Sequence, residues 1–161
     1  MDFFIIFINT LGMTLGVGSS TYAITFFHQS IADGVIDDTE KRFLHTVYFL
    51  LRAGMILLFL SYVAQGYQIW NGMPIPVGTD TLAVQATFLA IIFANAVLME
   101  RRLIAMWLGP AIAGASWYSI FFASVLDMYH FSYSTLISWY CILIIVFILF
   151  LHILRELIVK K

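Results

Sequence analysis

The chain has 161 residues, of which 62% are hydrophobic and only 11% are charged, and its formal net charge is −1. Soluble domains carry about a quarter charged residues, so this composition predicts a protein whose solvent is lipid. Membrane spans would use nearly all of the length, which leaves no room for a soluble catalytic or nucleic-acid-binding domain. Cys141 is the single cysteine, which excludes a disulfide within the chain and a cysteine-based zinc site.

Five apolar segments are long enough to cross a bilayer, which takes roughly 20 mostly apolar residues. They are too long and too continuously apolar for the alternating strands of a membrane barrel. We therefore predict an all-α, polytopic bundle of five transmembrane helices in one domain, residues 1–161. The predicted spans are residues 3–27, 43–65, 81–99, 109–126 and 132–154.

The first predicted span begins after Asp2 rather than after a basic region, and its apolar run exceeds the roughly 15 residues of a signal peptide. We expect it to remain in the mature protein. Gly12, Gly16 and Ser20 recur every four residues, which permits close approach of a neighbouring backbone. We expect Gly12, Gly16 and the nearby Gly18 to serve helix packing. The alternative is a broken helix at residues 16–20, whose free N–H groups would suit an anion.

The connections also carry signals. In residues 29–40, Asp37 and Glu40 have the spacing of a capping box before the second span. Residues 66–80 hold two glycines and two prolines beyond Gly66, which predicts an irregular external loop. Residues 127–130 form a very short final turn.

Arg52 is the most informative residue, because it lies nine residues after Phe43 and therefore on the order of 13 Å below the membrane boundary. A charge at this depth costs about 2.5–3.5 kcal/mol on insertion scales and usually faces a protein interior or a wet cavity. No Asp or Glu lies at its depth in the other spans. We predict a pocket that opens to the cytoplasm and ends at Arg52. The alternative is that its side chain snorkels toward the cytoplasm.

Two polar stripes lead toward Arg52. In the second span, His45, Tyr48 and Arg52 share one helix face. If this face meets the stripe of the first span, the two would line a half-channel, with Ser19 and Ser20 at similar depth. The alternative is that the hydroxyls and small residues only pack helices together. The stripe of the first span consists of Thr14, Gly18, Thr21, Thr25 and His28.

The fourth span has a polar and aromatic patch at residues 116–119. An indole N–H and a phenol O–H in hydrocarbon need partners, so we expect Trp117 or Tyr118 to point into the bundle and to line the path. The alternative is an aromatic side chain that packs against the glycine-rich first helix.

Histidines suggest a redox alternative. His28, His45 and His152 fall near the same membrane boundary, and two imidazoles such as His45 and His152 can ligate a haem iron, while three can hold a metal. The sequence has no CxxCH, HExxH or Glu-x-x-His motif to support this.

The basic residues predict the orientation, because cytoplasmic loops carry an excess of Lys and Arg. The opposite side carries Asp2, Asp80 and Asp127 and no Lys or Arg, so we expect the N-terminus outside, the C-terminus in the cytoplasm, and insertion in the plasma (inner) membrane. The basic residues on the cytoplasmic side are Lys41, Arg42, Arg101, Arg102, Arg155, Lys160 and Lys161.

These patterns leave three hypotheses. The first is a small homo-oligomeric transporter or channel for a polar or anionic solute, with a pocket ending at Arg52. The second is a b-type haem protein with His45 and His152 as axial ligands. The third is a non-catalytic accessory or assembly subunit of a membrane complex. No nucleophile and base are paired, so we predict no catalytic residue and regard an enzyme as the least supported class. The expected partners are lipid, further copies of the chain and the solute, with no nucleic acid.

Overall fold

The structure is a computed structural model that describes residues 2–32, 38–104 and 108–159. Within these ranges the chain forms five α-helices and a short 3-10 turn at Asp127–Tyr129, and no strand. All five helices are long and apolar enough to span a membrane, which confirms the predicted all-α fold with five helices of membrane-spanning length. The helices are α1 Asp2–Ala32, α2 Asp38–Trp70, α3 Thr79–Glu100, α4 Leu108–Leu126 and α5 Tyr133–Val159.

Neighbouring helices run in opposite directions. In the α1/α2 pair, for example, Asn9 bonds Ser61 near one end, while Phe26 stacks on Phe43 near the other, with ring centroids 5.7 Å apart. The bundle therefore has two distinct ends. We call the end that holds Lys41, Arg42, Arg101 and Arg102 the basic end. The opposite end, which holds Asp80 and Asp127 and no described Lys or Arg, is the acidic end.

Helix α4 occupies the centre of the bundle, where it packs against α1, α3 and α5, while α2 packs most closely on α1. Small residues on α4, such as Ala111 and Ala115, are fully buried and allow its neighbours to approach on several sides. Helix α5 is the most peripheral, since Trp139, Ile142 and Leu149 are all more than half exposed. Such exposed apolar surface fits a lipid environment.

Helix α2 ends later than the sequence predicts. Instead of stopping at Gln65 it continues to Trp70, because the stop signal lies at Gly72, which adopts a left-handed φ of 68°. The Met73 N–H bonds the Gln68 carbonyl at 2.9 Å across this glycine, as in a Schellman helix stop. The loop is therefore residues 71–78 rather than 66–80, and Asp80 belongs to the first turn of α3.

The two connections at the acidic end are bonded to each other. The Gly78 N–H donates to the Asp127 carboxylate, at 3.0 Å from Oδ1 and 3.3 Å from Oδ2. Gly78 is the N-cap of α3, where a negative charge is favoured by the helix dipole. The chain leaves the 3-10 turn at His130, in a left-handed conformation with φ 50°. The predicted capping box at Asp37 and Glu40 lies outside the described residues or side chains.

Candidate functional site

Three helices meet closely in the middle of the bundle. A Cβ built on Gly54 of α2 would lie 2.9 Å from the Gly12 carbonyl of α1, so these backbones are in direct contact. A Cβ on Gly16 would overlap the ring of Trp117 from α4, which is 1% exposed. Gly12 and Gly16 are thus packing residues. Trp117 points into the bundle and fills its centre beside them.

Gly18 differs from this pattern. A Cβ built there would meet nothing within 4 Å. At about 100° per residue, two positions from Gly16 lie on nearly the opposite side of the helix. The predicted packing role of Gly18 is therefore corrected. The alternative of a broken helix at residues 16–20 is also not what the structure has, since α1 is continuous from Asp2 to Ala32.

A cavity of about 650 Å³ lies between this contact and the basic end. It is bounded by α1, α2, the first half of α4 and the segment that follows α3. Ser20, Tyr48 and Arg102 are the polar residues that line it, and the apolar lining includes Ile24, Leu51 and Ala113. Its volume falls in the range of about 300–1,000 Å³ that is typical of small-molecule sites.

Arg102 reaches this cavity from an unusual backbone conformation. The Leu103 N–H bonds the Leu98 carbonyl at 2.9 Å, and the Arg102 N–H bonds the Met99 carbonyl at 3.0 Å, which ends α3 in a Schellman motif. Arg102 occupies the left-handed position of this motif, with φ 55°. A residue with a Cβ pays roughly 1–2 kcal/mol there, which is why glycine is the usual choice. Arg102, which is exposed, therefore lines the cavity from a strained backbone position.

Arg52 lies outside this cavity. It is exposed on α2, and no hydrogen bond or ion pair joins it to another described residue. The inner face of α2 is set by Gly54 and Leu58, which contact α1, and Arg52 lies about 160° around the helix from Gly54. The prediction that the pocket ends at Arg52 is therefore corrected.

The predicted polar stripes do not face each other. Thr14, Thr21 and Thr25 each donate to a carbonyl of their own helix, at 2.8–2.9 Å. Thr21 also bonds the Tyr118 hydroxyl of α4 at 2.9 Å, so Tyr118 finds its partner on α1 rather than on α2. Of the predicted path residues, Ser20 and Tyr48 line the cavity. Ser19 is buried, and His45 is exposed.

The structure does not bring the histidines together. His152 is exposed on α5 and lies 3.5 Å from Glu156, while His45 is exposed on α2, a helix that does not pack along α5. The His28 side chain lies outside what the structure describes. Among the described residues, no three His, Cys, Asp or Glu side chains are grouped as metal ligands. This geometry does not support axial ligation of one haem by His45 and His152 of a single chain.

A buried polar cluster in the acidic half of the bundle was not anticipated from the sequence. The Ser61 hydroxyl accepts from both the Asn9 Nδ2 and the Gln65 Nε2, each at 3.2 Å. In the same half of the bundle the Gln85 Nε2 donates to the Ser124 Oγ at 2.5 Å. We call these five residues the amide cluster. A signal was present, because Asn9 and Gln85 are isolated amides within apolar runs.

Two acceptors of the amide cluster stay unpaired within the described part of the chain, the Oε1 atoms of Gln65 and Gln85. Both side chains are at most 1% exposed. The two halves of the cluster flank one face of α1, because Asn9 bonds Ser61 while Met13, one turn further along, contacts Ser124. The acidic half of the bundle therefore has a polar interior.

Comparison with known proteins finds no family model, curated sequence or solved structure that matches this chain.

Proposed function

We propose that this chain is a small membrane transport protein that admits an anionic solute with an apolar body into the cavity at the basic end. The observation that carries the proposal is Arg102, a cation in a strained backbone conformation at an otherwise mainly apolar cavity. Strained residues persist where the surrounding structure holds them, and they cluster at ligand sites.

The distribution of charge supports an orientation. Lys41, Arg42, Arg101 and Arg102 lie at one end and none of the described Lys or Arg residues at the other, and the positive-inside rule favours a cytoplasmic location for the basic end. The N-terminus would then be outside, the C-terminus in the cytoplasm, and the cavity would open to the cytoplasm of a plasma (inner) membrane.

We infer the chemistry of the solute from the residues that line the cavity. A guanidinium binds a carboxylate, sulfonate or phosphate through two parallel N–H bonds, and the hydroxyls of Ser20 and Tyr48 add further donors. Ile24, Leu51 and Ala113 offer an apolar wall to the remainder of the molecule. The solute class is therefore an amphiphilic organic anion.

A route beyond the cavity would pass the centre of the bundle. There the Trp117 ring packs on Gly16 and closes the space between α1 and α4, and the amide cluster follows toward the acidic end. In this proposal Trp117 is the barrier and must move in each transport cycle, which favours a transporter over an open channel. Five helices enclose little space, so we propose that the protein works as a homo-oligomer.

The test uses naphthalene-1-sulfonate, a permanently charged amphiphilic anion, with the matching naphthyl trimethylammonium cation as a charge control. Binding is measured by calorimetry in nanodiscs, and uptake by proteoliposomes. We expect Arg102→Gln to weaken binding by about tenfold or more, since hydrogen bonds to charged groups are worth about 1.5–3 kcal/mol.

Arg101→Gln is the matched control, because Arg101 is exposed like Arg102 but does not line the cavity. It should leave binding and uptake within about twofold of the wild type, as expected for a screened surface charge. Equal losses in the two variants, or equal binding of the anion and the cation, would contradict the proposal. Binding without uptake would contradict transport.

A further inference from the structure

The exposed side of α2 carries a continuous seam. Phe49, Ile56, Phe59 and Val63 are each more than half exposed, and Arg52 is exposed among them. Their spacing of three, four, three and four residues keeps them in line along the helix, which is the pattern by which one helix packs along another. We call these five residues the Arg52 face.

Arg52 lies deep in the membrane-spanning part of α2. It follows Lys41, the first residue of the spanning part of α2, by eleven positions and therefore by about 16 Å. Because the hydrocarbon is about 30 Å thick, Arg52 is near its middle. A guanidinium that faces lipid at this depth is costly, and such residues almost always pair with another group or line a wet cavity. Arg52 does neither within the described part of this chain.

A second copy of the chain cannot supply the missing charge. The spans hold acidic residues only at their ends, at Asp80, Glu100 and Asp127. A two-fold dimer through the Arg52 face would place the same patch on both sides, and so would bring two guanidinium groups together. Like charges in a low-dielectric medium repel strongly.

We propose that the Arg52 face binds a transmembrane helix of a different protein that carries a carboxylate near its centre. The carboxylate would pair with the guanidinium through two hydrogen bonds, and the apolar residues on either side would pack along the partner helix. A groove of about 620 Å³ between α2 and α3 adjoins the face at Phe59 and Val63, and it gives room for the partner's side chains. This interface is separate from the solute cavity and makes the chain a subunit of a mixed complex.

The test mixes donor-labelled protein with an acceptor-labelled, leucine-based single-span helix that carries one central Glu. A helix with Gln in place of Glu is the control. Energy transfer in lipid vesicles, measured as the lipid content is raised, gives the relative affinities. We expect the Glu helix to bind about tenfold more tightly than the Gln helix. Arg52→Gln should abolish this preference, whereas Arg52→Lys should retain it in part.

Two further arms make the result specific. Arg42→Gln removes a charge from the same helix at the membrane boundary and should preserve the preference for Glu. Moving the Glu by seven residues along the model helix shifts it by about 10 Å on the same face, and should remove the preference in the unaltered protein.

The proposal is overturned if the wild type binds the Glu and Gln helices equally, or if Arg52→Gln keeps the preference. It is also overturned if the protein instead forms dimers that Arg52→Gln dissociates, since a second copy would then cover the face. Because Arg52 makes no hydrogen bond or ion pair with other described residues, Arg52→Gln should fold with unchanged helix content, which circular dichroism checks.

Discussion

The ring of Trp117 in α4 lies directly against the backbone of Gly16 in α1, so closely that a single added Cβ would overlap it. One turn away, Gly12 meets Gly54 of α2. A backbone contact therefore joins α1 to α2, and one indole ring joins α4 to α1. In a bilayer, where apolar side chains gain little by leaving lipid, close packing of this kind is a main source of helix association.

Gly16→Ala should destabilise the protein, because the new methyl group and the Trp117 ring cannot occupy the same space. Overpacking of a tight core costs about 1–3 kcal/mol, and we expect a loss of that size. The free energy of unfolding, measured by titration with SDS in mixed micelles, gives the value. Gly18→Ala adds the same methyl group where nothing lies within 4 Å, so it should be neutral or slightly stabilising. Equal losses would contradict the packing described here.

The contrast between Gly16 and Gly18 shows how far the sequence can be interpreted. Hydropathy locates all five spans, because the thickness of the hydrocarbon fixes their length. It does not say which face of a helix turns inward, since lipid and a protein core are both apolar. The sequence therefore predicts how far along their helices Arg52 and Gly18 lie. It does not predict whether each residue faces the bundle or the lipid.

The same limit explains which residues of the candidate site the sequence predicts and which it does not. Ser20 and Tyr48 were predicted to line a pocket that ends at Arg52, and they line instead a cavity that includes Arg102 and not Arg52. Arg102 was considered only as one of the basic residues that predict the orientation, because its place at the cavity depends on a left-handed helix stop that the sequence does not mark with a glycine. The amide cluster depends on contacts between residues about 50 positions apart, such as Asn9 and Ser61, which local patterns do not contain.

Ser61→Ala tests the amide cluster, because this one hydroxyl accepts from both Asn9 and Gln65. Hydrogen bonds between membrane helices are worth about 0.6 kcal/mol on average and up to about 1.7, so we expect a loss of about 1–2 kcal/mol. Asn9→Ala alone should lower the free energy of unfolding by less than Ser61→Ala does. Added to Ser61→Ala, it should lower the free energy of unfolding hardly at all.

SDS titration of the two single variants and the double variant gives the coupling energy. Ser138→Ala is the control, because Ser138 is exposed and bonds only the Ser134 carbonyl of its own helix. Strictly additive losses for Asn9 and Ser61 would show that the two side chains do not interact.

Arg102→Gly separates stability from function. Glycine adopts the left-handed conformation freely, so relief of the strain at φ 55° should stabilise the protein by about 1 kcal/mol. The same change removes the cation from the cavity, and binding of naphthalene-1-sulfonate should fall as in Arg102→Gln. Thermal unfolding followed by tryptophan fluorescence gives the first quantity, and calorimetry gives the second. A variant that gains stability and keeps its affinity would remove Arg102 from the proposed site.

Asp127→Ala should loosen the acidic end, because the carboxylate accepts the Gly78 N–H and lies at the start of α3. Loss of a charge-assisted hydrogen bond and of the dipole interaction should cost about 1–2 kcal/mol. Asp127→Asn keeps an acceptor but loses the charge, so its stability should lie between that of the wild type and that of Asp127→Ala. Hydrogen exchange at the Gly78 amide should speed up in Asp127→Ala.

Asp80→Ala is the matched control, because Asp80 is exposed in the same helix turn and makes no hydrogen bond to Gly78. It should leave that amide unchanged, and equal acceleration in both variants would mean that the charge at the helix end, rather than the bond to Gly78, holds the two connections together.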